Sequence, residues 1–262
     1  MTKIMILGAG IYQVPLIETA KKMGLYTIVV SIPGNYPGFA LADKVYYENT
    51  VDEDKILEIA KKERIKGIVT SGTDVCMKTV GRVCDAMGLN GLSYEASKVA
   101  VDKMLMKSRY EEYGVRTARF RRVSFSDPDI RKTIRDLNFP LIFKSVDSSG
   151  SRGIIRVNSS DEFTSSMDYV RENTRKDYFL VEEFIEGEEF GAQAFAYDGN
   201  VSFILPHGDY VYHGDTGVPI GHYAPYVLPE EVVEDAKIQL RRAVKAMGLD
   251  NCAINADFIL KN

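Results

Sequence analysis

Over the first ninety residues, short apolar runs rich in β-branched side chains alternate with amphipathic helical stretches, and this alternation constrains the fold most. Residues 3–7 (KIMIL) and 26–32 (YTIVVSI) read as strands buried on both faces, because they lack the apolar–polar alternation of a half-exposed strand. Between them, Val14, Leu16, Ile17, Ala20 and Met23 recur at helical spacing until Gly24 stops the helix. Residues 45–47 and 67–70 read as further strands. Residues 53–63 and 74–87 read as helices, the first opened by Thr50 and Glu53 as a capping box. Repeated strand–helix–strand units of this length need crossover connections and predict an α/β, doubly wound parallel sheet. Ligands of such sheets meet the chain beyond the carboxyl ends of the strands, here the loops 8–13 and 70–74. Gly10, Gln13, Ser71, Thr73 and Asp74 are the substrate-binding candidates there.

The texture changes at residue 94, which predicts a first domain over 1–93 and a second over 94–262. Two short helical segments (96–101 and 104–113) precede a strand at 120–125 and a helix capped by Asp127 and Pro128. An apolar strand at 139–146 has a hairpin partner at 154–157, and Ser159 and Glu162 cap the next helix. Residues 178–185 and 190–196 read as one pair of strands around Glu186 and Gly187. Pro229 opens a charged amphipathic helix to Met247, and residues 252–260 close the chain as a strand.

Charge and cysteine usage remove several function classes. The 33 Lys+Arg against 37 Asp+Glu give a net charge of −4, so the basic footprint of a nucleic-acid binder is missing. The 3 cysteines, Cys76, Cys84 and Cys252, show no metal or disulfide spacing, and the first two read as core thiols. No apolar run reaches the roughly 18–20 residues of a membrane span. The N-terminus runs straight into a strand, so the expectation is a cytoplasmic protein.

Four short motifs bear chemistry. Gly8-Ala9-Gly10-Ile11-Tyr12-Gln13 follows the first strand as a dinucleotide fingerprint would, but Gln13 stands where the third glycine belongs, and Ser31 ends the second strand without a carboxylate. A tight strand–helix turn, a small-substrate loop and a dinucleotide-dependent oxidoreductase stay open as readings. The loop Ser148-Ser149-Gly150-Ser151-Arg152-Gly153 comes just after Lys144, so small residues with free backbone N–H groups sit beside a point charge and could wrap an anion. In LVEEFIEGEEF, Glu182 and Glu189 flank apolar Phe184 and Ile185, a pattern in which extended backbone could read a base edge and a carboxylate could receive ribose hydroxyls. In NADFIL, strand alternation puts Asn255 and Asp257 on one face, and Asp257 is a hard oxygen ligand suited to Mg2+. His207, His213 and His222 follow no metal spacing and read as turn residues, with His213 favoured if one acts.

Lys103 in VDKMLMK, Lys144 in FPLIFKSVDSSGSRG, EEFIEGEEF and Asp257 in NADFIL, in that order, resemble the ATP-grasp superfamily. The N-terminal region is similar to the domain that precedes ATP-grasp modules in carbamoyl-phosphate synthase large subunits and biotin-carboxylase-like ligases. HGDTG at 213–217 also resembles carbamoyl-phosphate synthase. The resemblance implies an α+β ATP-grasp domain with a lid over about 117–181, and ATP and Mg2+ as cofactors. It implies that Lys103 and Lys144 contact the phosphates and that Ser148, Ser149, Gly150 and Ser151 belong to the loop closing over them. Glu182, Glu183, Phe184 and Ile185 would then form the adenine hinge, Glu189 would bind ribose, Asp257 would hold metal, and Lys144 and His213 would act catalytically. The implied reaction activates a carboxylate as an acylphosphate, which an amine then attacks. The partners are thus a small carboxylate and an amine, with neither nucleic acid nor membrane, and the family's frequent dimers point to a homodimer. The family's next motif, Glu-x-Asn, is missing before Asn262. This raises the expectation of a C-terminally incomplete chain, or of a non-catalytic nucleotide-binding module serving assembly or regulation.

Overall fold

The computed structural model describes residues 1–148, 152–211 and 219–261, and the chain divides into two units. The first, Met1–Val101 with Gly248–Cys252, runs β1 (Lys3–Leu7), α1 (Val14–Lys22), β2 (Tyr26–Ser31), β3 (Lys44–Tyr47), α2 (Glu53–Glu63), β4 (Gly67–Val69), α3 (Met77–Met87) and α4 (Tyr94–Ala100). Its strands lie in the order β3-β2-β1-β4 and every pairing is parallel.

Strand periodicity explains why helices cover both faces. Met5, Leu7, Ile28 and Val30 point to one side and pack with Ile56, Ile59, Val80 and Val83 of α2 and α3. Ile6 and Val29 point to the other side and pack with Ile17 and Ala20 of α1. Burying each large side chain of this kind stabilises the fold by roughly 1.5–3 kcal/mol. The doubly wound expectation therefore holds. Cys76 and Cys84 lie in the first of these clusters as free, buried thiols.

The second unit, Asp102–Met247 with Ala253–Asn262, contains two sheets. Its elements are α5 (Lys103–Glu112), β5 (Phe120–Ser124), α6 (Ile130–Thr133), β6 (Leu141–Lys144), β7 (Ile154–Val157), α7 (Phe163–Glu172), β8 (Tyr178–Glu183), β9 (Gly187–Tyr197), β10 (Asn200–Val211), β11 (Pro219–Tyr223), α8 (Glu230–Met247) and β12 (Cys252–Lys261). One sheet has the order β5-β8-β6-β7 and is antiparallel throughout; the other has the order β11-β10-β9-β12. Val123, Leu141, Phe143, Phe179 and Val181 of the first sheet bury one face against Phe163 and Val170 of α7. Val115, Ala243 and Ala246 form a smaller cluster with Tyr110, joining α5 to α8. Among the described residues, no helix is long and apolar enough to cross a membrane.

Several local expectations are corrected. Residues 178–185 and 190–196 do not pair: β8 and β9 belong to different sheets. The cap of α2 is Asp52, whose Oδ1 accepts from the Lys55 N–H at 3.0 Å, because a carboxylate two residues nearer the helix outcompetes the Thr50–Glu53 box. Asp127 and Pro128 precede α6, which Asp129 caps by accepting from the Lys132 N–H at 3.2 Å. Before α7, Glu162 turns back to accept from the Asn158 N–H at 2.9 Å, and the Ser159 side chain makes no capping bond.

Glu63, the last residue of α2, ties that helix to two strands. Its carboxylate accepts from Lys3 Nζ at 2.8 Å, Lys44 Nζ at 2.6 Å and Tyr46 Oη at 2.5 Å. The Lys3 ammonium, then Lys44 and Tyr46, hold its pKa at about 2, below the ordinary 4.5. A lowered carboxyl pKa contributes stability that is complete above 4.5 and is lost as pH falls toward about 2. Urea midpoints of the wild-type chain and a Glu63→Gln variant are expected to differ at about pH 7. They should converge as the pH approaches about 2, and a gap that stays constant would exclude this ion-pair hub as its cause.

Candidate functional site

The second face of the β5-β8-β6-β7 sheet carries charge. In the β6–β8 register Ile142 lies opposite Glu182 and Lys144 opposite Leu180, so Lys144 and Glu182 are diagonal neighbours on one face. Lys144 Nζ donates to Glu182 Oε2 at 3.0 Å. Lys107 of α5 reaches the other oxygen, Oε1, at 3.2 Å, and its ammonium lies 5.6 Å over the Phe120 ring. Phe120, Leu180 and Val146 form the apolar floor with Met104 packed against it.

α5 starts where it does because Asp102 caps it, its Oδ1 accepting from the N–H groups of Met104 at 2.9 Å and Leu105 at 3.1 Å. Lys103, Lys107 and Tyr110 follow at spacings of four and three, which places them along one stripe of the helix. Lys103 Nζ donates to the Ser148 carbonyl oxygen, and its backbone N–H donates to Val146 O at 3.1 Å. Tyr110 Oη donates to Met247 Sδ at 3.5 Å. Burial, with the Asp257 charge as a lesser cause, raises the Tyr110 phenol.

These groups hold unequal charge. Burial pushes the Glu182 carboxyl up, but Lys144 and Lys107 outweigh it and leave the pKa below the ordinary carboxylate value. Burial, and then repulsion from Lys144, lowers the Lys103 ammonium; burial likewise lowers Lys107 despite its attraction to Glu182. Two ammoniums share one carboxylate while a third stands beside Lys144, and such a cluster favours an added anion.

The other expected residues are placed as follows. Glu183 Oε1 accepts from Arg119 Nη1 at 3.2 Å and from both the N–H and Nδ2 of Asn138 at 2.9 Å, so its side chain braces the strand end. The Phe184 ring lies under the Arg156 guanidinium at 4.2 Å, and its N–H donates to Pro140 O at 2.9 Å. Ile185 lies in the link between β8 and β9, and Glu189 is exposed on β9, in the other sheet from Glu182. Asp257 stands on the exposed face of β12, where Asn255 Nδ2 donates to its Oδ1 at 3.2 Å. Ser148 Oγ donates to the Asn173 carbonyl. Ser149, Gly150, Ser151 and His213 lie outside the described residues. Lys107 was not among the expected residues. Its position four residues after Lys103, on the same helix face, was the available signal.

In the first unit, the loops 8–13 and 70–74 come together through Gln13. Its Oε1 accepts from the Gly10 N–H at 2.9 Å, and its Nε2 donates to the Ser71 carbonyl. Ser71 Oγ donates to Tyr12 O at 2.8 Å; Thr73 Oγ1 accepts from the Val75 N–H at 3.3 Å, and the Asp74 carbonyl from the Met77 N–H at 3.1 Å. A Cβ at Gly8, whose φ is +94°, would come within 2.9 Å of Gln13 Cδ. The carboxamide thus occupies the Gly10 N–H at the point where a pyrophosphate would approach the backbone, against a dinucleotide reading.

Removing the Lys103 charge while keeping its length (Lys103→Met) relieves desolvation and Lys144 repulsion. It is expected to raise the thermal midpoint by about 2–4 °C per kcal/mol relieved. Glu182→Gln leaves two ammoniums without their carboxylate and is expected to destabilise by about 3–5 kcal/mol. Calorimetric melts of the two variants should move in opposite directions; shifts of the same sign would contradict this electrostatic account.

The ATP-grasp domain family matches residues 137–262. Alanine–anticapsin ligase of Bacillus subtilis (strain 168) is 26% identical over 252 residues, spanning 86% of this chain and 53% of that protein. Formate-dependent phosphoribosylglycinamide formyltransferase of Wolinella succinogenes is 25% identical over 250 residues, spanning 94% of this chain and 63% of that protein. The crystal structure of phosphoribosylglycinamide synthetase from Anaerococcus prevotii superposes with a TM-score of 0.83 at 36% identity, covering 100% of this chain and 65% of that one. The chain therefore spans about half to two thirds of the length of the relatives it matches.

Proposed function

We propose, from the match of residues 137–262 to the ATP-grasp domain family, that the chain binds ATP with Mg2+ and activates a small carboxylate for attack by an amine. The observation that carries this reading is the buried Glu182 with Lys144 and Lys107 on its two oxygens and Lys103 beside them. ATP, when bound, supplies the phosphoryl group. The protein's part is electrostatic: fixed ammoniums facing the phosphates offset charge that develops on their oxygens. Glu182 orients Lys144 and Lys107, and the backbone around 183–185 offers groups for a base edge. Lys103, seated at the first turn of a capped helix, adds a third cation without moving its backbone.

Mg2+ fits the donor set as far as this chain provides it. Asp257 is an exposed hard-oxygen ligand, and Mg2+ characteristically takes one or two carboxylates and fills the rest of its octahedron with water and phosphate oxygens. In this reading residues 1–93 form the preceding domain, 94–262 the nucleotide-binding one, and the loops 8–13 and 70–74 meet the acid. Glu189 would receive ribose hydroxyls, Ser148–Gly153 would close over the phosphates, and a cytoplasmic setting would supply the ATP. The finer likeness to carbamoyl-phosphate synthase rests on HGDTG at 213–217, which lies outside the described residues, so the broader carboxylate–amine ligase class is the one we adopt.

Isothermal calorimetry with ATP and Mg2+ tests the nucleotide site, with Lys144→Ala as control. Losing one charge-assisted hydrogen bond is expected to weaken binding by about 1.5–3 kcal/mol, roughly tenfold or more. Equal affinity in the two proteins would remove Lys144 from the site. ADP release that depends on an added acid and amine would support ligase chemistry, whereas tight ATP binding without turnover on any pair would favour the non-catalytic module.

A further inference from the structure

His207 and His222, expected in turns, instead lie on strands β10 and β11. His207 and Asp209 are two residues apart on β10, so their side chains leave the same face, and His222 of β11 is the direct cross-strand partner of Asp209. His207 Nδ1 lies 3.0 Å from Asp209 Oδ1, and His222 Nδ1 lies 2.6 Å from the same oxygen. The two imidazole planes cross at 83° with centroids 5.1 Å apart, so both aim a ring nitrogen at one point. The three donor atoms lie within 4.8 Å of one another.

The backbone is shaped around this point. Gly191 is the register partner of His207 across β9, and a Cβ there would come within 2.2 Å of the imidazole. Glycine therefore lets the ring lie over the neighbouring strand, where His207 is only 4% exposed and held in one orientation. Its second nitrogen, Nε2, faces the amide nitrogen of Gln193 at 3.2 Å, and that nitrogen also donates to Asn255 Oδ1. A metal-bound imidazole characteristically gives its other N–H to an outer acceptor; turning the Gln193 carboxamide, at the expense of its bond to Asn255 Oδ1, would present Oε1 as that acceptor. The group is graded outward: His207 is buried, the Asp209 side chain 26% exposed and the His222 side chain 61% exposed.

We propose that His207, Asp209 and His222 form a binding site for a divalent transition ion of the Zn2+ class, with Gln193 orienting His207 from behind. Two imidazoles and one carboxylate suit Zn2+, Co2+ or Ni2+ and do not suit Mg2+ or Ca2+, which select all-oxygen sites. Three protein ligands leave a coordination position open toward solvent on the His222 side, as in exchangeable sites rather than closed structural ones. Binding needs both Nδ1 lone pairs, so each neutral ring carries its proton on Nε2, and on His207 that proton calls for the Gln193 carboxamide to exchange its nitrogen for its oxygen at this contact.

The test titrates the chelator-stripped chain with Zn2+ against a chromophoric chelator, and with Co2+ by visible absorption. The expected result is one ion per chain, unaffected by excess Mg2+. His222→Ala, which changes an exposed side chain, and Gln193→Leu should each weaken binding by about 10–100-fold while far-UV dichroism stays unchanged. The Co2+ bands should lack thiolate charge transfer and survive Cys252→Ser. Unaltered affinity in His222→Ala, or no saturable binding at all, would leave only a hydrogen-bonded imidazole–carboxylate group and overturn the proposal. Binding that survives His222→Ala but is lost in His213→Ala would overturn it equally.

Discussion

A carboxylate in the middle of a sheet needs compensation, and Glu182 organises the second unit around that need. Alone and desolvated it would cost several kcal/mol; with Lys144 from β6 and Lys107 from α5 it becomes a joint between a strand, its neighbour and a helix. The joint is asymmetric. One negative charge orients two positive ones without cancelling them, and Lys103 adds to the imbalance. Pre-oriented, incompletely neutralised cations over an apolar floor suit an added anion, because little reorganisation is needed when it arrives.

The first unit solves a different problem with a similar device. Its parallel sheet is held by apolar packing on both faces, which leaves the loops at the strand ends to be fixed by polar contacts. Gln13 does this by bonding backbone on either side, to Gly10 and to Ser71. A residue that looks like a defect in a glycine-rich fingerprint is therefore a brace between two loops. Candidate ligand groups such as Ser71 and Thr73 are already engaged in local bonds, and a bound acid would compete with those bonds.

How much of this was legible in the sequence depends on the range of each signal. The doubly wound sheet was legible because Met5, Leu7, Ile28 and Val30 sit in continuous apolar runs whose only stable setting is between two helical layers. The Lys144–Glu182 neighbourhood was partly legible through motif order, and the shared face of Asn255 and Asp257 through strand alternation. Lys107 was missed because helix phase, rather than a motif, brings it to Glu182. The separation of β8 from β9 was missed because the acidic segment between them reads locally as a hairpin turn, and only long-range pairing decides which sheet a strand joins. The convergence of His207 and His222 was invisible for the same reason: it exists only once β10 and β11 are in register.

The link between β8 and β9 carries a consequence of its own. β8 ends at Glu183 and β9 begins at Gly187, and of the residues between, Phe184 is tied by its N–H to Pro140 O. Ile185 and Glu186 are left to make the passage from one sheet to the other. Because side chains alternate along a strand, deleting one residue here would turn every side chain of one strand to the opposite face. Either Glu182 would leave its two lysines or Glu189 would change sides of its sheet. The length of this connector therefore bears on which face each glutamate takes, a constraint that no single residue within it carries alone.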